Sequence, residues 1–290
     1  MLTGARAHGL KKRDMTDRSV RFKPKHDPHN GLLNFKASAL LPGYWRYFPS
    51  ADLAPFVEHF WTVEWDLAEP ALRETLPYPS AHILLEPSIA QLGGVHTKKF
   101  SRVLRGSGRV LGAKFWPGGL RPFLAQAVSA YTDRVVPLHE VFGASARELD
   151  RRVLAHVDHH AAIGEFEAFL RACAPRADDT LALVRKLAAR IAEDRGLREV
   201  EQLAAQFALG MRQLQRLFGE HVGVSPKWMI RRYRLQEAAE RIAASASVDW
   251  SRIALELGYA DQAHFSRDFK RMIGKSPASY FKSMAQMPRA

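Results

Sequence analysis

A segment of this chain repeats itself 51 residues further on, and that repeat limits the architectures open to its C-terminal half. The first copy reads Leu214-Gln215-Arg216-Leu217-Phe218, then Gly223, then Ser225-Pro226. The second reads Phe265-Ser266-Arg267-Asp268-Phe269, then Gly274, then Ser276-Pro277. Two copies are too few for a solenoid, so the pattern marks a duplicated module. Each copy has the same physical logic. Glycine suits the left-handed position that ends a helix. Serine caps the free amides of the next helix, and proline at its first position loses no hydrogen bond. Leu214, Leu217 and Phe218 share one helical face, as do Phe265, Phe269 and Met272, so these faces pack inward.

A shorter amphipathic helix is expected before each copy, about Arg198–Phe207 and Trp250–Leu257. Tight turns follow at Ala208-Leu209-Gly210 and Gly258-Tyr259-Ala260, and Asp261 is a natural N-cap. Short helix, small turn and a second helix with a polar outer face is the helix-turn-helix plan. Between the units the pattern predicts a long helix over Pro226–Ala244. At ~1.5 Å per residue it spans roughly 28 Å, against ~34 Å between successive major-groove faces. One chain therefore has the reach to address two adjacent groove segments.

Charge agrees with this division. The net charge is +13. Residues 181–290 carry 19 Lys/Arg against 11 Asp/Glu, residues 26–180 carry 16 against 17, and residues 1–25 carry 8 against 2. A basic module beside a neutral one suggests a polyanion partner for the first. The single cysteine, Cys173, permits no internal disulfide. No apolar run is long enough to span a bilayer, and none follows the basic N-terminus as a secretory signal would require. A cytoplasmic setting is expected.

The expected fold class is α+β with two domains. A β-rich N-terminal domain with following helices precedes an all-α domain of two helix-turn-helix units joined by a long linker helix. Residues 1–30 read as a disordered basic arm, residues 31–175 as a sensor-like or oligomerisation domain, and residues 181–285 as the DNA-binding domain. Val57–Trp65, His82–Glu86 and Arg109–Trp116 are short, rich in β-branched and aromatic residues and bounded by Pro and Gly, as strands of a sandwich or barrel are. Phe123–Val128 suggests a short helix. From Ala144 the apolar spacing becomes helical, and Ala174–Asp179 breaks it.

Taken together, Leu214–Phe218, Gly223-Val224-Ser225-Pro226, Arg234-Leu235, Ala238, Ile253-Ala254, Gly258-Tyr259, Asp261–Lys270, Gly274–Pro277 and Tyr280 resemble the DNA-binding domain of the AraC/XylS family. The resemblance covers about 100 residues. Met229 departs from it, standing where many relatives carry an aromatic that matches Tyr280. The resemblance implies a transcription regulator, with Arg212, Gln215 and Arg216 of the first recognition helix facing DNA. Gln262, Ala263, His264, Ser266 and Arg267 do so on the second, about Asp261–Ile273. These residue types suit base edges: arginine pairs with guanine, glutamine with adenine, and small residues meet the thymine methyl. Arg216 and Arg267 are equivalent and suit phosphates as well. The family also implies a β-rich effector domain upstream, whose stretches Tyr44…Trp61 and Gly112–Gly119 resemble a sensor-like domain of little-known function. A small-molecule effector, a homodimer and, for an activator, RNA polymerase are the further partners it suggests.

Other constellations carry less. His156, His159 and His160 fall on one side of an expected helix, a spacing that suits a transition metal, but they read as surface residues. Glu58-His59, His82 and Glu86 read either as pocket lining or as ordinary edge residues. Tyr44, Trp45, Trp61, Trp65, Phe115 and Trp116 form either a packed core or the wall of an apolar effector site. No Gly-rich phosphate loop, nucleophile elbow or catalytic carboxylate pair is visible, so no enzyme activity, cofactor or metal is expected. An enzyme using its C-terminal half for targeting, and a sequence-tolerant architectural DNA binder, are the rival classes.

Overall fold

The computed structural model describes residues 19–21, 43–245 and 247–285. Among them, seven antiparallel strands form one sheet: β1 (Ser19–Arg21), β2 (Gly43–Tyr47), β3 (Val57–Thr75), β4 (His82–Glu86), β5 (Ile89–Gly93), β6 (Phe100–Phe115) and β7 (Val135–Pro137). Their order is β1-β2-β3-β6-β4-β5-β7. Most of the arm expected over residues 1–30 lies outside the described residues. Ser19–Arg21 departs from that expectation, since it pairs with Trp45–Tyr47 as an edge strand.

Strand β3 runs ten residues past Trp65, where the sequence stops alternating. Its extension pairs only with β6, and Pro70 falls within a register shift between Leu67 and Ala71. Proline has no amide to donate, so a bulge is where a strand tolerates it. A second shift between Val57 and His59 changes which face each side chain takes. Val57 and Phe60 are both fully buried in the main core. His59, Trp61, Val63 and Trp65 face a cavity on the other side.

The main core lies between the sheet and three helices, α1 (Leu138–Phe142), α2 (Leu149–Leu154) and α3 (His159–Ala172). Ile83, Leu85, Leu111 and Phe115 meet Leu149, Val153, Ile163 and Phe166 there, all at most 2% exposed. The Phe60 and Phe166 rings lie 5.5 Å apart. Each such side chain contributes about 1.5–3 kcal/mol on burial. The short helix expected at Phe123–Val128 is instead two tight turns, Arg121–Phe123 and Val128–Tyr131.

The expected aromatic group divides. Phe115 packs on Phe123 in the core, at 5.5 Å. Trp116 faces Arg185, at 4.9 Å. Tyr44, Trp61 and Trp65 line the cavity. The three histidines do not share a helix side, because His156 lies in the turn before α3. His159 is held by Tyr47 at 2.6 Å and Glu64 at 3.0 Å, a structural role.

Helix α4 (Asp179–Glu193) is capped by Asp178, whose carboxylate accepts from Leu181 N at 2.7 Å. It passes from one core to the next: Leu181 belongs to the sheet core, while Val184, Leu187 and Ile191 belong to the helical one. The halves also meet elsewhere. The Thr132 hydroxyl donates to Gly223 O at 2.6 Å, and Arg121 pairs with Glu220 at 3.0 Å.

Candidate nucleic-acid interface

The first unit consists of α5 (Val200–Gln206) and α6 (Met211–Leu217). Glu199 and Gln202 form a capping box at the start of α5. The turn between the helices holds Ala208 at φ +52°. Beyond α6 the chain continues into a wider π turn, Phe218–Val222, and ends on Gly223 at φ +93°. Leu214 and Phe218 are fully buried, so the inward face of the repeat is as the sequence implies.

The linker helix α7 spans Pro226–Ala244. Ser225 Oγ caps it by accepting from Trp228 N at 3.2 Å. Its Met229, Ile230 and Tyr233 enter the core of the first unit, and its Leu235, Ala238 and Ile242 enter that of the second. One rigid helix therefore belongs to both units. Met229 is fully buried despite replacing the family's aromatic. Arg234, nearly buried, donates to Asp194 O at 2.5 Å and to Glu237 at 2.8 Å. It thereby satisfies a carbonyl left free at the end of α4.

The second unit consists of α8 (Trp250–Glu256) and α9 (Gln262–Ile273), followed by α10 (Pro277–Ala285). Asp261 caps α9 by accepting from His264 N at 2.7 Å. Gly274 ends it at φ +84°, and Ser276 Oγ accepts from Ser279 N at 3.2 Å to start α10. Phe269 packs on Tyr280 at 5.7 Å.

The expected DNA-facing residues are placed differently in the two units. Arg212, Gln215 and Arg216 are all exposed on α6 and make no hydrogen bond or salt bridge with the described residues. On α9, Gln262, Ala263 and Arg267 are exposed while His264 and Ser266 are half-buried. Gln262 Oε1 accepts from the Ser251 hydroxyl at 3.3 Å, and Arg267 Nε donates to Ala263 O at 3.3 Å. His264 turns toward the linker helix: its Nε2 lies 3.2 Å from Arg231 Nη2, and its ring sits edge-on to Tyr259.

Asp268 is the residue that sequence reasoning passed over. It is 4% exposed and pairs with Arg231 and Arg271, with His264 3.8 Å away. The signal was present, because Asp268 occupies the repeat position of inward-facing Leu217. A carboxylate there needs a cation partner.

Among the described residues, no three His, Cys, Asp or Glu side chains converge as a metal site, and no helix is long and apolar enough to cross a membrane. Residues 203–283 match the family model described as a helix-turn-helix domain, and residues 45–137 match one described as a domain of unknown function (DUF6597). An uncharacterized HTH-type transcriptional regulator of Haemophilus influenzae is 37% identical over 86 residues, 30% of this chain and 28% of that protein. The HTH-type transcriptional activator RhaS of Pectobacterium atrosepticum is 36% identical over 77 residues, 27% of each chain. The chain thus spans under a third of the length of these curated relatives. A solved structure of a probable AraC family transcriptional regulator from Rhodopseudomonas palustris is 24% identical with a TM-score of 0.32, covering 37% of this chain and 98% of that one. With two helix-turn-helix units on one linker helix, and with the repeat motifs in register, the C-terminal part of the chain carries a helix-turn-helix domain of the AraC/XylS kind.

Proposed function

We propose that the chain is a sequence-specific DNA-binding regulator of transcription, an activator by the names its relatives carry. Residues 181–285 are the DNA-binding domain, and residues 31–175 modulate it. The observation that carries this reading is the open face of α6. Arg212, Gln215 and Arg216 are long polar side chains held out on a buried scaffold, with no hydrogen bond or salt bridge to the described residues. Unpaired donors of this kind match base edges and phosphates. Gln262, Ala263, Ser266 and Arg267 supply the second reading face, with His264 at its inner edge. A linker of roughly 28 Å has the reach for two faces about one groove repeat apart.

The protein works in the cytoplasm on double-stranded DNA. A small-molecule effector binds the N-terminal domain and biases how the DNA-binding half is presented. A second copy and RNA polymerase are its protein partners. No catalytic step is assigned. Selection of bound sites from random duplexes by the full chain tests the reading. One enriched motif with two blocks about ten base pairs apart is the expected result, and the absence of any enriched motif overturns it.

A further inference from the structure

The cavity on the free face of the sheet has a volume of about 300 Å³, at the small end for small-molecule sites. Its floor is laid out in rows by strand register. The first row crosses three strands as His59, Lys114 and His82. The next is Trp61, Gly112 and Leu84, and beyond it come Val63 with Val110 and Trp65 with Gly108. The two glycines let the indole rings lie flat on the sheet: a Cβ on Gly112 would lie 2.4 Å from the Trp61 ring, and one on Gly108 would lie 2.1 Å from the Trp65 ring. The cavity is therefore polar at one end and flat and aromatic along its length.

The polar end has unmet hydrogen-bonding capacity and surplus positive charge. Ser80 Oγ and His82 Nδ1 are buried with no hydrogen-bond partner among the described residues. Burial pushes the imidazoles of His59 and His82 down, to about 4 and about 3, so both are neutral near pH 7. Lys114 is offset by Glu58, 3.0 Å away. Arg232 lies behind the Tyr78 ring, 2% exposed, and makes no ion pair with the described residues. A buried guanidinium with no carboxylate in contact is costly, and an anion nearby lowers that cost.

We propose that this cavity binds a compact carboxylate with a flat apolar body. The body lies along Trp61 and Trp65, and the carboxylate meets Ser80, His82 and Lys114. An amine would face Lys114, with Arg232 behind the Tyr78 ring, and a neutral ligand would leave the surplus charge unmet. The site is wired to the DNA-binding half. Tyr78 and Pro77 line the cavity, while Pro77 O accepts from Arg232 Nε at 2.9 Å and the Tyr78 hydroxyl meets that of Tyr233 at 3.2 Å. Arg232 and Tyr233 belong to α7. This inference rests on the reading of the N-terminal domain as the modulating half.

The test is calorimetric titration of the full chain with benzoate, cinnamate and indole-3-acetate, each against its own primary amide. At least one carboxylate is expected to bind saturably and at least tenfold more tightly than its amide. Leu84→Trp, which fills the cavity, should abolish that binding, and Ser80→Ala should weaken it severalfold. Amides binding as tightly as acids, binding that survives Leu84→Trp, or no binding by any of the six overturns the inference. If site selection still yields a motif in that case, the regulator reading stands and only the ligand fails. Tight carboxylate binding by a chain that selects no motif sinks the regulator reading instead.

Discussion

Arg231 on the linker helix pairs with Asp268 on the second recognition helix, and the two elements are thereby fastened through one buried carboxylate. Arg271 and His264 converge on the same group. Asp268→Ala removes the carboxylate on which all three converge. Leaving Arg231 without its counter-charge at a partly buried site should cost about 1–3 kcal/mol. A fall in unfolding temperature, larger than that from Arg271→Ala at the exposed rim, is the expected result. An unchanged unfolding temperature would show the pair to be incidental.

Arg216→Ala and Arg212→Ala bear on the open face of α6. A residue that reads a base should lose roughly 1–3 kcal/mol on the selected motif and relax specificity at one position. A phosphate contact should weaken all duplexes alike and reduce the salt slope by about 1. Fluorescence anisotropy at several salt concentrations separates the two. No change on any duplex for either variant would remove α6 from the interface.

Gly223 sits at φ +93°, where a Cβ would approach Thr132 Oγ1 and Val128 Cγ1 at 3.0 Å. Gly106 also has positive φ, +51°, but nothing lies within 4 Å of its Cβ site. Gly223→Ala should destabilise by more than the ~1–2 kcal/mol of backbone strain common to both, because it also pushes on the N-terminal half. Chemical denaturation of both variants measures the difference. Equal losses would mean that the contact between the halves gives way freely.

Stability should depend on pH in a definite direction. His59 and His82 fall from the usual 6.5 to about 4 and about 3, chiefly through burial. Below pH 6.5 the unfolded chain takes up protons that the folded one refuses, so stability rises with pH in that range. It is complete above 6.5 and lost steadily as the pH falls toward 4. For Glu58, burial raises the carboxyl but the Lys114 ammonium and His59 outweigh it, leaving it at about 2. Its contribution is present above 4.5 and fades below that. Calorimetric unfolding should show a plateau from pH 7 upward and a decline beginning near 6.5. A decline that begins only near pH 4.5 would contradict the buried neutral histidines.

The C-terminal half was legible because its signals are local. Gly223 and Gly274 end helices, Ser225 and Ser276 start them, and Leu214 and Phe218 define an inward face, all within one or two turns of chain. A turn of helix is set by neighbours three or four residues away, so the order of residues alone determines it. The repeat then carried the resemblance of that domain to the AraC/XylS kind.

The N-terminal half was legible only as strands. Which face each strand turned inward depended on the bulge after Val57, and the row His59–Lys114–His82 joined residues 23 to 55 positions apart through register. The same holds for Arg231 with Asp268, 37 residues apart, and for Arg232 with Pro77, 155 apart. These pairings are choices among long-range partners of similar chemistry, and only the packing of the whole chain selects between them. The amino-acid order thus determined two helix-turn-helix units on a shared linker. Tertiary packing decided that α6 stands open, that His264 leans toward Arg231, and that the sheet encloses a polar-ended cavity against that linker.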